Sequence, residues 1–253
     1  AEAVAPVAAS PAFTMADGSS LDEARLATVI EEACAGLEGV SATAILAETR
    51  RNLYNGISAD ELALAPILAT RTLVETEPNY AFVSARLLND KLRGEALSFI
   101  AGRPDQATQA EMAARYADYF PAYLSRGIEL ELIDPELARF DIARIAAAIQ
   151  PERDLKFQYL GLQTLYDRYF LHTDGTVFEL PQAFFMRVAM GLATREIDRE
   201  ARAIEFYNVL SSFDFMASTP TLFNSGTLRP QLSSCFLTTI ADDLDGIFKA
   251  VKD

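Results

Sequence analysis

The sequence has no tryptophan, one histidine and two cysteines in 253 residues. His172, the single histidine, has no second ligand near it in sequence and reads as a surface residue in a turn. Two cysteines, Cys34 and Cys235, cannot build a disulfide scaffold or a C-x-x-C metal site, so no metal is expected on this chain. Their rarity fits a reducing compartment and a cytoplasmic location. Basic residues are also scarce: 22 Lys+Arg stand against 36 Asp+Glu, a net charge of −14. No Lys/Arg cluster appears, which argues against a nucleic-acid-binding face. A nucleotide pocket, which needs only a few local donors, remains compatible with this balance. No apolar run reaches about 18 residues without a charge, so no membrane span is expected. Walker A and G-x-G-x-x-G loops are absent, as are internal repeats.

What is present suits a packed core: half of the chain is hydrophobic and a tenth aromatic. The length allows one large or two modest domains. The opening "AEAVAPVAASPAF" has neither an initiator Met nor basic residues, and reads as a linker rather than a signal peptide. The closing "GIFKAVKD" stops inside a growing helix. Both termini lead us to expect a fragment of a longer protein.

Helical signals dominate. "AFTMADGS" suggests a short strand and turn. "SSLDEARLATVIEEACAGLEG" suggests a helix with a capping box of Ser20 and Glu23, apolar positions Leu26, Val29, Ile30, Ala33 and Leu37, and an end at Gly36/Gly39. Further helices are expected over Ala42 to Tyr54, after Ser58 with a kink at Pro66, and through "NYAFVSARLLNDKLRGEALSFI". "GRPDQAT" marks a boundary. Beyond it come a Tyr-rich helix over Ala107 to Ser125, a turn at Asp134-Pro135 followed by a helix, a hairpin at "HTDGTVFEL" with Asp-Gly at its turn, a helix from Pro181, and a helix over Ile197 to Ser212. "MASTPTLFNSGTLRPQLSSCFLTT" reads as loop, turn and strand.

That last stretch holds the candidate chemistry. Cys235 is either a small buried hydrophobe on a strand or a redox thiol at a strand start. A redox role needs a second cysteine with its Cα roughly 5–6 Å away. Cys34 lies in a distant helical module, so that partner would lie outside this chain. Thr219, Thr221, Ser225 and Thr227 suit plain turn chemistry or a phosphate cradle. Asp242, Asp243 and Asp245 precede an apolar helical start. They suit helix capping or acceptance of a ribose hydroxyl's hydrogen bond. "YDRYF" at Tyr166–Phe170 suggests core aromatics, with Asp167 and Arg168 as a charge pair.

"STPTLFNSGTLRPQLSSCFL" resembles the substrate-loop and first-cysteine signature of the large, catalytic subunit of class I ribonucleotide reductase. "FQYLGLQTLYDRYFL", "LPQAFFMRVAMGLA" and "AIEFYNVLSSFDFMASTP" are similar to the segments preceding it in that family. The resemblance covers about Asp105 to Asp253, and "LRPQLSSCFLTTIADDLDGIF" looks most like the proteobacterial class Ia type. The first hundred residues are similar to an ATP-cone helical module. "AFTMADGSSLDE" stands where a cone carries its Lys/Arg pair, so the cone looks degenerate.

The resemblance implies a mainly α chain. Residues 1–18 would be linker and short strand, 19–101 the cone-like module, and 102–215 the reductase's N-terminal helical domain. Residues 216–253 would enter the first strands of a ten-stranded α/β barrel. It implies reduction of ribonucleoside diphosphates to 2′-deoxyribonucleoside diphosphates through a thiyl radical. Cys235 would be one of two cysteines that supply electrons and become a disulfide. Thr219, Ser234 and Cys235 would contact substrate, while Asp242, Asp243 and Leu244 would begin a deoxynucleotide effector site at a dimer interface. The implied partners are a radical-generating beta subunit that carries the metal, ATP and dNTP effectors, thioredoxin or glutaredoxin, and further copies of the chain. In that family the radical cysteine, the second redox cysteine and the carboxylate base lie beyond the position of Asp253, so the isolated chain is expected to be inactive. The alternative is a non-catalytic allosteric or oligomerisation module.

Overall fold

The computed structural model describes residues 13–252. The first twelve residues of the expected linker lie outside that range. At Phe13–Ser20 the short strand and turn reduce to isolated bridges: Thr14 pairs with Ser20, and Met15 with Ile57.

Helix α1 spans Glu23–Cys34 and buries Leu26, Val29, Ile30 and Ala33 on one face, the 3.6-residue stripe expected of a surface helix. Its cap is Asp22, whose carboxylate accepts from the Arg25 amide at 2.9 Å, and not Ser20. Ser20 is held in the bridge to Thr14, which leaves Asp22 as the nearest oxygen to the free amides of the first turn. Helix α2 (Ala42–Arg51) ends three residues short of Tyr54. The Asn52 side chain donates back to the Glu48 carbonyl at 2.9 Å, and the chain turns at Gly56. Helix α3 (Ala59–Arg71) carries the expected Ser58 cap in a full capping box with Glu61, and continues through Pro66. Helix α4 (Tyr80–Ala101) ends on Gly102 in the left-handed conformation.

Helix α5 (Gln109–Glu129) has its own capping box, Thr108 with Glu111, and runs through Pro121, four residues past the expected end at Ser125. The Asp134-Pro135 turn becomes a 3₁₀ segment, Pro135–Arg139. It is followed by α6 (Ile142–Ala147), a second 3₁₀ segment, Pro151–Lys156, and α7 (Tyr159–Arg168). The hairpin forms as β1 (His172–Thr173) paired antiparallel with β2 (Thr176–Val177). Asp174 and Gly175 both take positive φ at its turn, as a type I′ turn requires. Helices α8 (Pro181–Ala193) and α9 (Arg199–Ser211) follow. Then come a six-residue α10 (Thr219–Asn224) and α11 (Leu244–Lys252).

Helix α4 is the hub, packing on α1, α3, α5, α7 and β2, while α8 packs chiefly on α9. One hydrophobic core runs from α1 to α10, and it crosses the expected boundary after residue 101. Glu32 on α1 reaches over that boundary to accept from the Gln109 amide at 2.8 Å.

The mainly helical expectation holds. The strand expected near the end of the chain does not form among the described residues. Pro220 sits in the first turn of α10, where its fixed φ favours a helix. Residues 233–245 are exposed, with no neighbouring strand edge to satisfy their amides and carbonyls.

Candidate functional site

Helix α8 is apolar enough to be buried all round: each residue from Pro181 to Met190 is buried. Arg187 is the one charge within it. Glu179, just before the helix, meets it in a two-pronged pair, with Arg187 Nε 2.7 Å from Oε1 and Nη2 3.1 Å from Oε2. Both side chains are fully buried. Such a pair is tolerated only when its remaining hydrogen-bonding capacity is also filled. Here it is filled: the Tyr123 hydroxyl and the Leu171 amide donate to Glu179. Burial works against the Arg187 charge, and the Glu179 carboxylate more than restores it, so its pKa stands above the ordinary guanidinium value. Burial first, and then Glu179, push the Tyr123 phenol well above its usual range, so it stays a donor.

The free prong of Arg187 reaches the candidate loop. Its Nη1 donates to the Ser225 carbonyl at 2.6 Å, and Ser225 Oγ donates to the Val188 carbonyl at 2.8 Å. Gly226 follows with φ +76°; a β-carbon there would stand 2.7 Å from the Arg187 carbonyl. On the other side the Gly226 carbonyl accepts from the Asp134 amide at 3.0 Å. The Asn-Ser-Gly turn is therefore bolted to α8 from beneath.

Above this anchor, most of the expected hydroxyls serve the loop itself. Thr227 Oγ1 donates to the Asn224 carbonyl at 2.8 Å, and Thr221 Oγ1 to the Leu232 carbonyl at 3.3 Å. Asn224 Nδ2 donates to the Gln231 carbonyl at 2.7 Å, folding the strap 228–232 back over α10. Turn chemistry thus accounts for Thr221, Ser225 and Thr227. Thr219 differs. It is exposed, and its Oγ1 lies 3.2 Å from the Tyr169 hydroxyl. The Tyr169 ring stacks on Phe223, with centroids 4.4 Å apart and planes 8° from parallel.

Cys235 and Ser234 are both exposed, with Ser234 Oγ 4.0 Å from Cys235 Sγ. The reading of Cys235 as a buried strand residue is thereby set aside. Asp243 Oδ1 accepts from the Gly246 amide at 2.7 Å, the capping role considered for this trio. Asp242 and Leu244 are exposed beside it. Asp167 and Arg168 do not pair. Adjacent residues point to different sides of a helix, and Asp167 instead accepts from Gln163 at 2.7 Å. His172 is exposed, its Nδ1 3.1 Å from the Phe170 carbonyl. Among the described residues no three His, Cys, Asp or Glu side chains form a metal-binding group, and no helix is long and apolar enough to cross a membrane.

Comparison with known proteins gives these features a family. Residues 155–230, which hold α7 to α10 and the anchored loop, match the family described as "Ribonucleotide reductase, all-alpha domain". This stretch belongs to the ribonucleotide reductase family. Over 94% of its length the chain is 44% identical to the ribonucleoside-diphosphate reductase subunit alpha of Chlamydia muridarum. It is 33% identical to subunit alpha of Helicobacter pylori over 92% of the chain, and 34% identical to the zebrafish (Danio rerio) large subunit over 90%. The chain spans 22% of the chlamydial relative's length and 28% of the other two. The buried Arg187–Glu179 anchor of the reductase domain was missed from the sequence, although one arginine inside "LPQAFFMRVAMGLA" is a signal that could have found it.

Proposed function

We propose that this chain supplies part of the catalytic subunit of a ribonucleoside-diphosphate reductase, which converts ribonucleoside diphosphates to 2′-deoxyribonucleoside diphosphates by a thiyl-radical route. The observation that carries this reading is the similarity to subunit alpha along nearly the whole chain. The 218–235 segment, anchored at Ser225 and exposed at Thr219, Ser234 and Cys235, supports it. Thr219 and Ser234 would hold substrate. Cys235 and a second cysteine outside this chain would together give up two electrons and two protons as they close a disulfide. The substrate's 2′-oxygen would leave as water, and thioredoxin or glutaredoxin would reduce the disulfide again. The radical would come from a metal-containing beta subunit. Asp242, Asp243 and Leu244 would open the site for a dNTP or ATP effector.

In this reading residues 19–101 form the degenerate cone, 102–215 the helical domain, and 216–253 the start of the α/β barrel, all within a cytoplasmic homo-oligomer. The test is turnover of CDP by the subunit carried to its relatives' length and assembled with the beta subunit. Cys235→Ser should abolish thioredoxin-dependent product formation. Full turnover by that variant would overturn the reading.

The non-catalytic alternative draws on one observation, the exposed Leu244, Ile247, Phe248 and Val251 of α11. These residues suit a face used in assembly. It would prevail if Cys235→Ser retained turnover while charged substitutions on α11 changed the oligomeric state.

A further inference from the structure

We infer that Tyr169 is a positioning residue for substrate, acting through Thr219. The inference rests on the reading of Thr219 as a residue that holds the substrate diphosphate. Helix α10 has only six residues, and Ser218 provides no side-chain cap to its backbone. A helix this short does not hold its own geometry. Two contacts from Tyr169 supply what it lacks. The ring lies flat against Phe223 near the end of α10, and the hydroxyl meets Thr219 at its start. Tyr169 itself is fixed from behind, because it closes α7 with its amide bonded to the Leu165 carbonyl.

The hydrogen-bond direction adds a chemical argument. A diphosphate oxygen only accepts, so Thr219 must donate to it. Thr219 can still accept a bond from Tyr169 while it donates. The arrangement is then Tyr169 O–H to Thr219 Oγ1, and Thr219 O–H to the phosphate oxygen. Among the described residues Tyr169 is the one hydrogen-bonding partner of the Thr219 side chain. Removing the phenol oxygen leaves the threonine hydroxyl free to rotate, and weakens the donor that faces substrate.

The experiment uses the full-length subunit with its beta partner, and CDP as the probe. Tyr169→Phe keeps the stack on Phe223 and removes only the hydroxyl. It should raise KM and the equilibrium Kd for CDP about fivefold, leave kcat within about twofold, and leave the unfolding midpoint unchanged. Thr219→Val should raise the same constants, and the double variant should be no worse than Thr219→Val alone. Thr219→Ser should keep the sensitivity to Tyr169→Phe. If Thr219→Val leaves the affinity for CDP unchanged, the assignment of the substrate loop itself fails. If Thr219→Val weakens binding but Tyr169→Phe does not, only the role of Tyr169 is overturned. Additive effects in the double variant would overturn it too, as would a lower unfolding midpoint in Tyr169→Phe that accounts for its loss of affinity.

Discussion

Arg187 and Glu179 form a fully buried ion pair whose spare Arg187 nitrogen holds the Ser225 carbonyl at 2.6 Å. One side chain thus links the most buried helix of the molecule to the loop carrying the candidate substrate residues. Stability and site geometry therefore depend on the same guanidinium.

Arg187→Met should leave the Glu179 carboxylate buried without its cation and the Ser225 carbonyl without its donor. A loss of about 3–5 kcal/mol is expected. Arg187→Lys should recover only part of it, because an ammonium cannot copy the two-pronged geometry. Urea unfolding of the purified chain measures both. A loss below about 1 kcal/mol for Arg187→Met would show that the pair does not anchor the loop.

Asp154 lies buried, accepting from Tyr116 at 2.7 Å and Gln182 at 2.8 Å. Burial raises its carboxyl pKa above 3.8, and the hydrogen bonds from Gln182 and Tyr116 offset only part of the rise. The folded chain then binds this proton more tightly than the unfolded chain. Stability from this group is present in full below 3.8 and is lost as the pH climbs through the raised value. Comparing the unfolding free energy of wild type and Asp154→Asn from pH 3.5 upward isolates the effect. The difference between the two should change with pH in that window, and a constant difference would refute the assignment.

The caps separate two serines. Ser58 accepts from the Glu61 amide at 3.2 Å, so Ser58→Ala should cost about 1 kcal/mol. Asp22→Ala should cost a similar amount. Ser20→Ala should stay within about 0.5 kcal/mol. Thermal unfolding of the three variants ranks them, and a Ser20 effect as large as that of Asp22 would contradict the cap assignment.

Gly191 faces the Gly226 turn so closely that a β-carbon would collide with the Gly226 nitrogen and Ser225 Oγ. Gly191→Ala should push the turn off α8 at a cost of about 1–3 kcal/mol, even though alanine favours helix. Calorimetry would detect it, and a stabilised Gly191→Ala would mean that the loop yields freely.

The two cysteines should differ in reactivity. Cys235 is exposed, whereas Cys34 is half-buried and burial pushes its thiol up. Iodoacetamide at neutral pH should therefore modify Cys235 at least about tenfold faster, as read by peptide mass spectrometry. Equal rates would mean that the Cys235 thiol is covered in solution.

The helices of this protein are legible because their causes are local. The stripe Leu26–Val29–Ile30–Ala33, the Ser58 box and the Asp174-Gly175 turn each lie within a dozen residues, and local chemistry sets them whatever surrounds them. The same holds for the signature that runs to Cys235, which is read in one piece. Its hydroxyls could not be sorted by that route. Whether Thr221 spends its oxygen on the Leu232 carbonyl, or Thr219 meets a tyrosine fifty residues earlier, depends on where the strap 228–232 and α7 come to rest.

By itself, then, the sequence determined the helical character, the Ser58 cap, the hairpin and the family signature. Only the tertiary structure decided that Arg187 is the bolt beneath the loop, that Tyr169 stands behind Thr219, and that Cys235 faces solvent. The reason is physical. A buried charge persists only with partners delivered from other elements, and Arg187 draws its partners from residue 179 and from residue 225. No periodicity along the chain encodes that meeting.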